Sequence, residues 1–161
     1  MVRALVVGLG NGLRTDDGVG LHVARAVREQ LGPDSGVEVV ELWAGGLRLA
    51  EAMIGFDRAV VVDAMTSGDA PPGFVRRVGL EELGGLRSVS CVHDATLPTA
   101  LELFRRSGEK MPEDLCVIGV KASDTDTLGE ELTPALRSAV PVAVEAVFES
   151  LRQSAMARGC P

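Results

Sequence analysis

Leu5-Val6-Val7 is an aliphatic run that breaks into Gly8-Leu9-Gly10-Asn11-Gly12 and then delivers two adjacent carboxylates, Asp16 and Asp17, ahead of Gly18 and Gly20. A continuous aliphatic run reads as a strand covered on both faces. Glycines at its end let the chain turn sharply and let backbones approach closely. Val19, Val23, Ala26, Val27 and Leu31 then recur at helical spacing up to Gly32-Pro33, so the turn hands a strand to a helix. A buried strand followed at once by an amphipathic helix commits the chain to an α/β fold.

The remaining pattern repeats this alternation. Arg3 to Leu9 is the first predicted strand, Val37 to Leu42 the second and Ala59 to Val62 the third. Leu47, Ala50, Met53 and Ile54 mark a short helix ending at Gly55. Ser67-Gly68-Asp69-Ala70-Pro71-Pro72-Gly73 is a turn cluster before an edge strand at Phe74 to Val78. Leu97, Leu101 and Phe104 give a helix face, and Leu115 to Val120 is the last strand. Thr133-Pro134 reads as an N-cap followed by proline at the first helical position. Pro141 predicts a kink or break in that helix. The expected architecture is a three-layer α/β/α domain, a mostly parallel twisted sheet of about five strands with helices on both faces. One domain over 1–153 is expected, with 154–161 as a frayed tail.

Composition excludes several partners. The formal net charge of -7 argues against a nucleic-acid backbone. The apolar runs are too short for membrane insertion. The N-terminus enters a strand directly, with no signal-peptide pattern, and three cysteines without paired spacing read as reduced thiols, so a cytoplasmic protein is expected. Cys116 reads as a small core residue.

The glycine turn lacks the third glycine of a dinucleotide fingerprint, because position 13 is Leu13. Two acids at the helix start would also repel a pyrophosphate. The plain alternative for Asp16 and Asp17 is helix capping, which accounts for one carboxylate better than for two. Asp63 follows the third strand, at the rim where open α/β sheets bind ligands, and could equally cap the next turn. His93 lies in the polar stretch Ser90-Cys91-Val92-His93-Asp94-Ala95-Thr96, where Asp94 or Thr96 is expected to cap the following helix. His22 falls inside the first predicted helix and reads as structural. Two carboxylates and an imidazole on one rim make a divalent-metal site with open positions, suited to zinc, nickel or manganese.

These residues resemble a known family. Gly8-Leu9-Gly10-Asn11 with Thr15-Asp16-Asp17-Gly18-Val19-Gly20, Val62-Asp63-Ala64, His93, Gly119-Val120 and Leu132-Thr133-Pro134 are similar, in order and spacing, to the nickel-iron hydrogenase maturation proteases. The resemblance covers nearly the whole chain. It implies a cytosolic α/β endopeptidase that removes a C-terminal extension from the precursor of the hydrogenase large subunit after nickel insertion. It also implies that Asp17, Asp63 and His93 are the metal-contacting and catalytic positions. The nickel is carried by the substrate, with another divalent metal in the isolated protein as an alternative. Many members carry Asp-Gly-Gly-Thr after the second strand. Here the chain reads Glu41-Leu42-Trp43-Ala44-Gly45-Gly46-Leu47, which keeps the glycine pair and leaves Glu41 to stand in for the acid.

Asp17 or Asp63 is then the expected general base, with metal polarisation of the carbonyl as the alternative and Cys91 as a remote thiol nucleophile. Three other readings compete, the blandest being a nucleotide-binding α/β domain. Val7-Gly8-Leu9-Gly10-Asn11 is similar to peptidyl-tRNA hydrolase, although Gly12-Leu13 departs from that family's Pro-Gly. A non-catalytic nickel-sensing chaperone of the large subunit would use the same three side chains.

Overall fold

The computed structural model describes residues 2–89 and 95–157. The strands are β1 (Ala4–Leu9), β2 (Val37–Leu42), β3 (Arg58–Met65), β4 (Val75–Val78) and β5 (Asp114–Lys121). They form one sheet in the order β2-β1-β3-β5-β4. All neighbours are parallel except β4, which runs antiparallel along the edge of β5. The helices are α1 (Val19–Gln30), α2 (Gly46–Ala52), α3 (Leu97–Arg106) and α4 (Pro134–Ala157). The expected three-layer α/β/α class is what the chain adopts.

Strand alternation builds two cores. Val6, Val60, Val62, Ala64, Ile118 and Val120 pack against α1 and α4 on one face. Leu5, Val7, Leu9, Ala59, Val61 and Met65 pack against α2 and α3 on the other. The chain therefore leaves β1 toward β2 across one face through α1, and leaves β3 toward β5 in the opposite direction across the other face through α3. The carboxyl ends of the adjacent strands β1 and β3 form the switch point where a crevice opens.

β3 is longer than the sequence suggested, so Asp63 lies inside the strand rather than after it. The reason is unequal pairing. β1 accompanies β3 only as far as Gly8↔Val62, whereas β5 continues through Asp63↔Gly119 to Met65↔Lys121. Asp63 is thus the first residue of β3 beyond the end of the β1 ladder.

A 3-10 turn, Leu80–Gly85, follows β4 and had no signal in the apolar periodicity. The α4 helix runs unbroken through Pro141 to Ala157, past the end expected at Gln153. Pro141 is exposed, so the carbonyl it leaves without an amide partner can bond to water. Cys116 is a free thiol, half-buried against the α4 side of the core, with its Sγ 3.4 Å from Ser150 Oγ.

Candidate active site

The turn after β1 is fixed by close packing. Gly10 has φ +146°, and a Cβ there would collide with the Asp17 carbonyl. A Cβ on Gly20 would collide with the carbonyls of Leu9 and Val62, so the start of α1 lies directly over the ends of β1 and β3. Thr15 adopts φ +37°, which is costly for a β-branched residue. Its amide donates to Gly129 O at 2.8 Å and its hydroxyl to Thr127 O at 2.6 Å, and these bonds hold it there.

The two adjacent acids have separate functions, and neither caps α1. Asp16 is fully buried. Its carboxylate accepts the amides of Ser123 and Asp124 at 2.9 Å and that of Thr133 at 2.8 Å, and also faces the Thr133 hydroxyl. It therefore ties the loop after β5 and the N-terminus of α4 to the turn after β1. Asp17 is almost as buried, yet among the described residues Oδ2 accepts only one long bond, from Asn11 N at 3.3 Å, and the buried Oδ1 accepts none. Burial raises its carboxyl above the ordinary value, and the Arg87 and Arg14 cations only partly offset that.

Asp63 faces the α2/α3 side and is fully buried. Oδ1 accepts Ala64 N at 2.9 Å, and Oδ2 accepts Ser88 N at 2.7 Å and Val89 N at 2.9 Å. Burial pushes its carboxyl up to about 7; these bonds pull the other way, and the nearby Asp17 charge pushes it further up. Asp63 thus feels the Asp17 charge, burial raises both carboxyls, and Asp63 is placed to take up and release a proton near neutral pH at the switch point.

His93 lies outside the described residues, as does Cys91. Among the described residues no group of three or more His, Cys, Asp or Glu side chains assembles. The structure thus joins Asp17 and Asp63 electrostatically and leaves the third position to its flanks. Val89, four residues before His93, is fixed by Asp63. A Cβ on Gly45 would collide with the Ser88 carbonyl, and one on Gly46 would lie 2.8 Å from the Ala95 carbonyl. The glycine pair at the start of α2 therefore buttresses both ends of the segment that carries His93. Thr96 caps α3 as expected, accepting Thr99 N at 3.4 Å.

Glu41 does not stand free in the crevice. Arg25 and Arg28 both bind it, and their hydrogen bonds outweigh the effect of burial and hold its carboxyl low. His22 is half-buried and lines a separate groove of about 300 Å³ with Leu13, Arg25 and Trp43. Sequence reasoning missed Arg87, whose amide donates to Ala64 O at 2.8 Å and whose guanidinium lies 3.7 Å from Asp126. It also missed the Ser88 and Val89 amide clamp, since backbone donors leave no trace in residue type.

An α/β domain with two buried acids of raised carboxyl pKa at its switch point is a small enzyme-like domain with its chemistry at the strand ends. A family model described as hydrogenase maturation protease matches residues 21–150. A hydrogenase expression/formation protein, HupD, from Thiocapsa roseopersicina is 30% identical over 152 residues, 92% of this chain and 67% of that one. The hydrogenase 2 maturation protease of Escherichia coli is 29% identical, covering 95% of this chain and 93% of its own. The structure of the hydrogenase maturating endopeptidase HybD from E. coli superposes with a TM-score of 0.75 at 27% identity, covering 95% of this chain and 94% of that one. The chain belongs to the hydrogenase maturation protease family, and it is a peptidase.

Proposed function

We propose that this peptidase removes a C-terminal extension from the precursor of a nickel-iron hydrogenase large subunit after nickel insertion. Asp17, Asp63 and His93 read the nickel that the substrate carries. The observation that carries this reading is Asp17 Oδ1, a buried carboxylate oxygen at the strand-end switch point with no hydrogen-bond partner among the described residues. Such an oxygen is costly unless something in the working complex uses it. A cation or a water proton delivered by the substrate complex meets that need. Asp63, clamped by three amides, keeps one acceptor site on Oδ1 for a second contact, and His93 supplies the third.

In the hydrolytic step Asp17 takes a proton from water as the oxygen adds to the scissile carbonyl. The same proton then passes to the leaving amine as the carbon–nitrogen bond breaks, so the pair returns to its starting state. This makes the enzyme an aspartic-type endopeptidase that needs no thiol nucleophile. The setting we propose is the cytoplasm, in keeping with the free Cys116 thiol. Among the described residues no helix is long and apolar enough to cross a membrane.

The test is the intact mass of the large-subunit precursor, nickel-loaded and nickel-free, after incubation with the wild type and with His93→Ala. Loss of a C-terminal fragment from the nickel-loaded form alone, with the wild type alone, is the expected result. Equal cleavage of the nickel-free precursor would overturn the nickel reading. Tight complex formation without a mass change would overturn cleavage of this substrate.

A further inference from the structure

A groove of about 300 Å³ lies between the 3-10 turn after β4 and the start of α3, and the site chemistry described above does not use it. Its apolar walls are Leu80, Leu83, Val89, Leu97 and Pro98, joined by Thr96 at the N-cap of α3, and among the described residues Glu81 is the charged one of the lining. Leu80 is 51% exposed, which leaves an apolar side chain open to solvent at the rim.

Val89 connects this groove to the acid pair. Its amide donates to Asp63 Oδ2 at 2.9 Å, while the same residue lines the groove. A peptidase substrate must pass within reach of Asp63. An extended chain advances about 3.3 Å per residue, so a segment lying over Asp63 presents a neighbouring side chain at Val89. The volume is at the lower end for a ligand pocket and suits one or two side chains rather than a folded surface.

We propose that this groove is a specificity subsite that takes an apolar side chain of the substrate polypeptide beside the scissile bond. The inference rests on the peptidase reading and adds what the enzyme selects. The apolar walls favour an aliphatic or methionine side chain. An acidic side chain is rejected twice, by desolvation against those walls and by the charge of Glu81.

Two variants at exposed Leu80 test this with little risk to folding. Leu80→Trp fills the groove, and Leu80→Asp adds a second acid to it. The measurements are binding and cleavage of the nickel-loaded large-subunit precursor. A parallel set of precursors has each residue flanking the cleaved bond changed in turn to Ser, Asp or Lys.

For the parent precursor, Leu80→Trp is expected to raise KM by about tenfold or more with kcat little changed, the scale of a lost hydrophobic contact. At one flanking position, Leu80→Asp is expected to prefer the Lys precursor over the parent, reversing the wild-type order. A purely structural effect of the variant would not reverse preference. Wild-type kcat/KM in Leu80→Trp, or an equal loss for every precursor in Leu80→Asp, would overturn the subsite while leaving the peptidase reading in place. Groove-dependent binding without cleavage would support the subsite and overturn the proposed reaction on this substrate. Absence of both binding and cleavage by the wild type would overturn both.

Discussion

Thr133 and Asp16 are 117 positions apart, and the Thr133 hydroxyl lies 3.0 and 2.9 Å from the two oxygens of the Asp16 carboxylate. With the amides of Ser123, Asp124 and Thr133, this makes Asp16 the buried anchor of the loop between β5 and α4. Its neighbour Asp17 has almost no such support. Adjacent acids should therefore fail in opposite ways. Asp16→Ala leaves several buried donors without an acceptor and should cost about 3 kcal/mol of stability. Asp17→Asn removes a poorly partnered buried carboxylate, should change stability by less than about 1 kcal/mol, and should lower turnover by about 10²-fold or more. Denaturant unfolding and precursor cleavage on both variants decide this.

Asp63 is expected to contribute to the pH dependence of stability. Burial raises its carboxyl to about 7 in the fold, against an ordinary value of 3.8. Between those values the folded state binds more protons than the unfolded chain, so stability falls as pH rises, by up to about 1.4 kcal/mol per unit. Asp17, also raised, contributes with the same sign. Glu41, held low by Arg25 and Arg28, contributes stability that appears as pH rises through the acid range. Comparing the wild type with Asp63→Asn isolates the first effect. The wild type should lose stability relative to that variant from pH 4.5 to 7.5, and parallel curves would show that Asp63 titrates normally.

Gly45 is expected to matter more for activity than for folding. A Cβ there meets the Ser88 carbonyl, and Ser88 N and Val89 N are the donors that hold Asp63 Oδ2. Gly45→Ala pushes that turn away from Asp63. A displacement of about 1 Å at a reacting group can cost about 10²-fold in rate. The variant should retain its cooperative unfolding, lose about 1–2 kcal/mol, and cleave precursor far more slowly. Cleavage at the wild-type rate would show that the turn yields without moving Asp63.

This relation also shows what the sequence could and could not disclose. The strands were legible because aliphatic runs such as Arg58-Ala59-Val60-Val61-Val62 are covered on both faces, and the glycine turn was legible because Gly10 and Gly20 leave no room for a Cβ. The end of β3 was not, since it depends on β5 pairing beyond the point where β1 stops. Asp16 and Asp17 look alike in sequence; only the fold brings Ser123, Asp124 and Thr133 to one of them. Glu41 looked like a substitute site acid until Arg25 and Arg28, one crossover away, proved to hold it. Residue types announce which chemistry is available, whereas long-range backbone donors decide which acid is anchored and which is left to react.

Arg87 and Asp126 bracket Asp17 with opposite charges. Burial is the main reason the Asp17 carboxyl is raised; the Arg87 cation lowers it and the Asp126 anion raises it. The two side chains face each other at 3.7 Å, both substantially exposed, so neither is needed to hold the fold. If ionised Asp17 accepts the proton from water, activity falls on the acid side as that carboxylate is protonated. Removing the cation moves this limb to higher pH, and removing the anion moves it to lower pH. Arg87→Ala should therefore lose more activity at the acid end of the profile than at the alkaline end relative to the wild type. Asp126→Asn should gain relative activity at the acid end. The measurement is kcat/KM for precursor cleavage across pH 5 to 9. Shifts in the same direction, or none, would remove Asp17 from the role of base and leave Asp63 as the acid that titrates with turnover.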